Sequence, residues 1–336
     1  MPFDLAFIWA GLIAFAVLAY VLFDGFDLGI GILFPFIAGE DGEKGRDQAM
    51  NSVAPVWDGN ETWLVLGGGG LMAAFPLAYS VALTALYAPL TAMLLGLVFR
   101  GVAFEFRWRA ARKELWDWSF AIGSLVAALA QGIALGALIQ GIPVSDRTYA
   151  GGWWDWLTPF SLLTGLAVVI GYALLGATWL VLKTEGEVQQ RAYRLAWVTA
   201  LGTLALIGVV SLWTPLLNAQ FMARWFAWPA ILYTAPVPLM VAATAFVLLT
   251  GLAKRREASP FLASVALCVL CYIGLGISLY PYIVPTSITI WSAAAPDSSL
   301  KFLLVGALVL IPLILAYTAW SYWVFRGKVH HASSYH

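Results

Sequence analysis

Residues 62–99 read TWLVLGGGGLMAAFPLAYSVALTALYAPLTAMLLGLVF, 38 positions without one Asp, Glu, Lys or Arg between Glu61 and Arg100. As a single helix the stretch would measure about 57 Å, nearly twice the roughly 30 Å hydrocarbon core of a bilayer. It must fold back once, and Pro76 marks the turn because proline breaks a helical ladder. The piece before Pro76 is too short to span alone. Its helix is therefore expected to begin upstream, with Asn51-Ser52 as the cap and Pro55 in the first turn. That puts Trp57-Asp58-Gly59-Asn60-Glu61 inside the second span and leaves 79–99 as the third.

Working outward, an apolar segment from Leu5 to Ile37 is interrupted only by Asp24 and Asp27, and further spans fall at about 119–140, 157–182, 195–217, 228–253, 259–280 and 302–325. The total is nine. Composition agrees: 62% of the 336 residues are hydrophobic and 11% charged, about half the charge fraction of a soluble domain. The fold class expected is an all-α integral membrane protein, packed as one helix plus two four-helix bundles. No linker divides it, so 1–328 reads as one polytopic membrane domain and 329–336 as a frayed polar tail. Met1-Pro2-Phe3-Asp4 lacks the basic region of a cleavable signal, so the first helix is expected to stay. Zero net charge and the lack of any nucleic-acid-binding pattern argue against a nucleic-acid partner.

The charges choose an orientation. With the N-terminus outside, the inner side receives Lys44, Arg46, Arg100, Arg107, Arg109, Arg112, Lys113, Lys183, Arg191, Arg194, Lys254, Arg255, Arg256, Arg326 and Lys328, which is 15 of 18 basic residues. Arg147, Arg224 and Lys301 fall outside. Inner loops are expected near 38–52, 100–118, 183–194 and 254–257, with the C-terminus inside. The charged run from Arg100 to Lys113 reads first as a topology signal, with docking to lipid or a partner as the alternative. Trp153, Trp154, Trp156, Tyr280, Tyr282, Trp320, Tyr322 and Trp323 sit near span ends, as interfacial anchors do.

Ionisable residues inside a membrane are costly and point to function. Asp24 and Asp27 are three apart in Phe23–Gly29, and Asp58 and Glu61 are three apart in Trp57–Glu61, so each pair shares a helix face near the inner side. Such carboxylates relay protons, coordinate a cation, or act as hydrogen-bonded braces between helices. All three histidines, His330, His331 and His336, lie in the tail, and Met72, Met93, Met222 and Met240 are scattered, so this chain alone is expected to bind no haem and no metal. Cys268 and Cys271 form a CxxC inside an apolar stretch and read as packing. Gly67–Gly70 lacks the Lys-Ser/Thr of a phosphate loop and reads as a close-approach face, or as the border of a small-molecule passage.

The strings Phe23-Asp24-Gly25-Phe26-Asp27-Leu28-Gly29 and Asn51 to Leu64 resemble the second subunit of cytochrome bd-type quinol oxidases. Similarity continues through Phe99-Arg100, Phe104–Arg107, Trp116-Asp117-Trp118, Gln140–Pro143, Tyr280–Trp291 and Tyr317–Trp320. The resemblance implies a subunit of a complex in the bacterial inner membrane that oxidises quinol and reduces dioxygen, taking protons from the cytoplasm. It implies haem b and haem d in the first subunit, which is the expected partner together with quinol, lipid and, in some members, small single-helix subunits. It makes Asp24, Asp27, Asp58 and Glu61 proton-route candidates, and Trp63 the border of an oxygen passage. In some members this subunit holds a structural quinone; the resemblance assigns no residue to one. The segment between the sixth and seventh helices looks shorter than in longer members. The competing classes are an ion-coupled secondary transporter, disfavoured because the later half has no matching carboxylates, and a passive assembly factor.

Overall fold

A computed structural model describes residues 4–37 and 42–329; the tail His330–His336 lies outside the described residues, as do 38–41. The chain opens with α1, Leu5–Ile37, whose 33 residues make a rod of about 50 Å. A short polar helix follows, α2, Gly42–Asn51. The second span is α3, Trp57–Ala74, and Pro76 starts α4, Pro76–Ala85, bent from α3 by 119°. Then come α5, Tyr87–Arg107, and α6, Glu114–Gln140. A hairpin of β1, Val144–Ser145, and β2, Thr148–Tyr149, leads to α7, Pro159–Lys183, and α8, Gly186–Leu217. Two short helices, α9, Ala219–Phe226, and α10, Ala230–Thr234, precede α11, Pro236–Ala253, and α12, Ala258–Leu279. A second hairpin, β3, Tyr282–Val284, with β4, Ile288–Thr289, leads through α13, Ile290–Ala293, to α14, Asp297–Val324.

Among the described residues eight helices are long and apolar enough to cross a membrane, and nine if α3 with α4 counts as one. Contacts set α3 along α1. Asn60 of α3 bonds Asp27 of α1, a Cβ on Gly67 would meet Val17, one on Gly70 would meet Ile13, and the Ala74 carbonyl accepts from Ala295 N–H beyond the α1 start. The two helices thus run antiparallel over most of the length of α1.

Two expected boundaries move. Asn51 ends α2 instead of capping the second span, because Pro55 has no N–H with which to continue that ladder, and residues 52–56 turn through bonds such as Ser52 Oγ to Ala49 O. The second span begins at Trp57. After Pro76 the chain does not return at once: α4 runs crosswise, so the third span is Tyr87–Arg107 rather than 79–99. The other seven agree with expectation in place, though α8 starts at Gly186, where Glu187 and Arg191 pair one turn apart.

One end of the bundle gathers five connections. Lys113 bonds Glu43 and Asp47, Gln48 bonds the Val329 carbonyl, Lys183 bonds the Gly327 carbonyl, and Lys328 bonds Glu257 and approaches Glu185. The Lys113 bond and charge hold the Glu43 carboxyl below the ordinary glutamate range, and the bonds from Lys328 and Gln189 do the same for Glu257. At the opposite end Trp291 bonds Asp4 and Ser287 bonds the Ile142 carbonyl. A span miscounted by one would have scattered these partners between the two ends.

Within the bundle α1 is the central post. It packs against α3, α6 and α7, and α7 also packs against α6, α8 and α12, so the contacts do not by themselves divide the helices into one plus two sets of four. Residues Asp24–Gly31 are all buried. Their burial rests on close approach: a Cβ at Gly29 would lie 1.8 Å from the Tyr172 carbonyl oxygen, so α1 and α7 touch backbone to backbone. By contrast α14 buries only Leu300 and packs mainly on α1 and α3.

Candidate functional site

Arg100 organises the site, although its place just after an apolar run suggests an inner loop. Helix α5 continues through it to Arg107, so its guanidinium enters the core and is fully buried. Arg100 Nη1 bonds Asp24 Oδ1 at 2.5 Å, and Nη2 reaches Glu61 Oε2 at 3.3 Å. The Trp57 ring lies 5.9 Å from the guanidinium and stacks on Phe104. One cation therefore joins carboxylates from α1 and α3 to α5, in the half of the bundle nearer α2.

Asp27 belongs to a second branch. Asn60 Nδ2 donates to Asp27 Oδ2 at 2.8 Å and to the Phe23 carbonyl at 3.3 Å, while Tyr322 of α14 donates to Asn60 Oδ1 at 2.8 Å. Asp27 is fully buried, and its bonded partner is this amide and not a cation. The buried Asp24 Oδ2, Asp27 Oδ1, Arg100 Nε and Tyr20 Oη have no hydrogen-bond partner among the described residues. Polar atoms in that condition are costly in an apolar interior.

Of the four carboxylates read from sequence, the structure brings together Asp24, Asp27 and Glu61. Asp58 is exposed rather than buried. Since α3 starts at Trp57, Asp58 stands in its first turn, where the helix dipole favours an anion, and on a face turned away from α1. Glu61 is intermediate, its side chain 29% exposed. Trp63 is buried against Ala16, Ala19 and Tyr20, edge-on to Phe15. Sequence reasoning missed Arg100 as a counter-ion, Asn60 as the bridge and Tyr322 as more than an interfacial anchor. Arg100 had a signal: it follows the span 79–99 by one residue and faces three unpaired membrane carboxylates.

A second cluster lies nearer the surface. Arg107, fully buried, bonds Asp117 and Asp47 at 2.5 Å each, and Arg46 bonds the other Asp117 oxygen. It fastens α2 to the ends of α5 and α6.

The sequence model for "Cytochrome bd terminal oxidase subunit II" matches residues 5–325. The chain belongs to that family. Cytochrome bd-I ubiquinol oxidase subunit 2 of Escherichia coli (strain K12) is 33% identical, over 97% of this chain and 95% of that protein. Cytochrome bd ubiquinol oxidase subunit 2 of Bacillus subtilis (strain 168) is 29% identical, over 96% of each. The solved bd oxidase from Geobacillus thermodenitrificans contains a chain that superposes with a TM-score of 0.75 at 17% identity, over 96% of this chain and 98% of that one, which shows a common fold. This subunit II is thus part of a bd-type quinol oxidase, an oxidoreductase of the bacterial inner membrane, and the transporter reading is not favoured. The family implies haem in the complex and a first subunit as partner. The described residues of this chain do not suit a haem: they include no histidine, and no three His, Cys, Asp or Glu side chains gather as metal ligands.

Proposed function

We propose that this subunit passes cytoplasmic protons toward the oxygen-reducing centre of its haem-bearing partner, with Asp27 and Glu61 as carriers and Asp24 as their fixed counter-charge. The observation that supports it is the unequal grip of Arg100. Asp24 is held at 2.5 Å, Glu61 at 3.3 Å with part of its side chain accessible, and Asp27 by an amide. A carboxylate locked to a guanidinium is a poor proton shuttle, whereas one bound to an amide is free to take up and release a proton.

The partner covers the outer face of α3. A carboxylate cannot face hydrocarbon without a cost of several kcal/mol, and Asp58 is exposed on this flank. Beside it a Cβ on Gly59, Gly68 or Gly69 would meet nothing within 4 Å, so another helix can approach closely there. Asp58 and Glu61 then stand at the seam between subunits, where a proton leaves this chain. An oxygen passage along the same glycine face, bordered by Trp63, is compatible with that open surface. Residues 1–328 act as one membrane domain, tied together through α7. Haem b and haem d in the first subunit, a structural quinone in this chain and single-helix subunits on exposed α14 complete the proposed assembly.

Quinol-driven oxygen consumption at equal haem content tests the carrier role. Asp27→Asn keeps the shape and most hydrogen bonds but cannot carry a proton, and turnover is expected to fall at least about tenfold. Asp58→Asn is expected to slow the exit by less, because Glu61 lies one turn away. Wild-type turnover in Asp27→Asn would remove proton delivery from this chain.

The orientation rests on the basic-residue asymmetry and on the gathering of those connections at one end. A reporter fused after Lys328 is expected to be active only on the cytoplasmic side. Activity only in the periplasm would reverse the direction of the route.

A further inference from the structure

Beside Tyr322, toward the end where the five connections gather, lies a small, partly open cavity of about 10 Å³, room for about one water. Its walls include Ser52, Trp179, Lys183, Tyr322, Phe325 and Val329. Trp179 is buried, and its indole N–H has no acceptor among the described residues, an arrangement that suits a water. Phe325 and Val329 belong to the strap that follows α14. Lys183 Nζ donates to the Phe325 and Gly327 carbonyls, Val329 N–H donates to the Lys183 carbonyl, and Gln48 donates to the Val329 carbonyl. Tyr322 is part of the wall, and its hydroxyl shares the Asn60 amide with Asp27: the phenol bonds its oxygen and the carboxylate its nitrogen. Tyr322 is thus the polar group that touches both the cavity and the Asp27 branch.

We infer that this cavity is the proton inlet of the subunit and that Tyr322 is the donor to Asp27, a step that rests on the proton-delivery reading above. An excess proton carried onto the cavity water from the cytoplasmic side passes to Tyr322 Oη while the phenol, releasing Asn60 Oδ1, gives its own to the Asp27 carboxylate. One proton moves from the hydronium to Asp27, the phenol is neutral before and after, the water is left neutral, and the next proton arrives past the Phe325–Val329 strap. Trp179 and Lys183 hold the inlet in shape, the first by stacking on Phe26 at 4.3 Å and the second by clipping the strap. The inlet is distinct from Asp58, which faces the partner on another side of α3.

The test uses the assembled two-subunit complex, with proton uptake followed through a single turnover at equal haem content. Tyr322→Phe keeps the ring against Phe23, Phe26 and Trp179 and removes only the hydroxyl. Uptake is expected to slow about tenfold or more, with a larger solvent deuterium effect and unchanged haem spectra. A packing defect would lower haem content instead. Ser52→Val, whose added methyl fills the cavity, is expected to slow uptake similarly. Tyr272→Phe, which removes a hydroxyl bonded to the Ala14 carbonyl far from this route, is expected to leave uptake unchanged. Wild-type uptake in both Tyr322→Phe and Ser52→Val, with Asp27→Asn slow, would overturn the inlet and leave the carrier role standing. Wild-type uptake in Asp27→Asn as well would overturn both.

Discussion

Replacing Arg100 by methionine is expected to abolish accumulation of the assembled oxidase. The guanidinium is fully buried and pairs with an Asp24 that is fully buried too. Removing one partner of such a pair strands the other as an uncompensated anion, at about 3–5 kcal/mol, a large share of the roughly 5–15 kcal/mol that holds a typical folded protein. Glu61 loses its cation at the same time, and Trp57 loses the charge over its ring. Arg100→Lys keeps the charge but not the planar fork that reaches Asp24 and Glu61 through separate nitrogens, so an intermediate yield is expected. The double change Arg100→Met with Asp24→Asn removes both members of the tight pair and is expected to recover part of the yield. Haem absorbance per milligram of membrane protein, read with size-exclusion of the tagged subunit, measures all three. Wild-type yield from Arg100→Met would show that Asp24 does not need a cation, and would weaken its assignment as the fixed counter-charge.

Arg100 also shows where sequence reading stops. Long apolar runs were legible as spans, eight among the described residues or nine if α3 with α4 counts as one, because a bilayer makes every long apolar run a helix, and the charge rule then labels their two sides. The same rule sees each arginine only as a label for a side. It could not tell that α5 runs on past Phe99, carrying Arg100 and Arg107 inward to aspartates that come from α1, α2 and α6. Which way a membrane residue faces depends on where its helix starts. Moving the start of the second span from Asn51 to Trp57 turned Asp58 out while Asn60 and Trp63 stayed in. The partners of Asp27 were harder still, since Tyr322 is 262 positions from Asn60 and nothing local in either stretch announces the bond. The motif around Asp24 and Asp27 was legible for a simpler reason: two charges three residues apart in an otherwise apolar helix are too costly to persist there without a task.

The glycines of that motif carry the other large expected effect. A Cβ on Gly29 would lie 1.8 Å from the Tyr172 carbonyl oxygen and 2.6 Å from its carbon, and one on Gly176 would lie 2.5 Å from the Gly29 carbonyl carbon. The obstacles are backbone on both sides, so no side chain can swing away to make room. Ordinary contact begins near 3.4 Å, so Gly29→Ala must part α1 from α7 by about 1.6 Å, the difference between 3.4 and 1.8. That separation would also draw Phe26 from its stack on Trp179, which lines the Tyr322 cavity, and shift Asp27 against Asn60. Overpacking usually costs 1–3 kcal/mol, and with no soft neighbour the cost here is expected at or above about 3 kcal/mol. Gly11→Ala, on the same helix but where a Cβ would meet nothing within 4 Å, is the matched control and is expected to leave stability unchanged. The thermal midpoint of the purified complex and its haem content report both variants. If Gly29→Ala melted with the wild type, α1 and α7 would have to be farther apart than backbone contact, and the burial of Asp24 and Asp27 would need another cause. If it melted early while the residual assembled fraction still took up protons normally, α1 would be a structural post whose position tolerates a shift without breaking the Tyr322–Asn60–Asp27 chain.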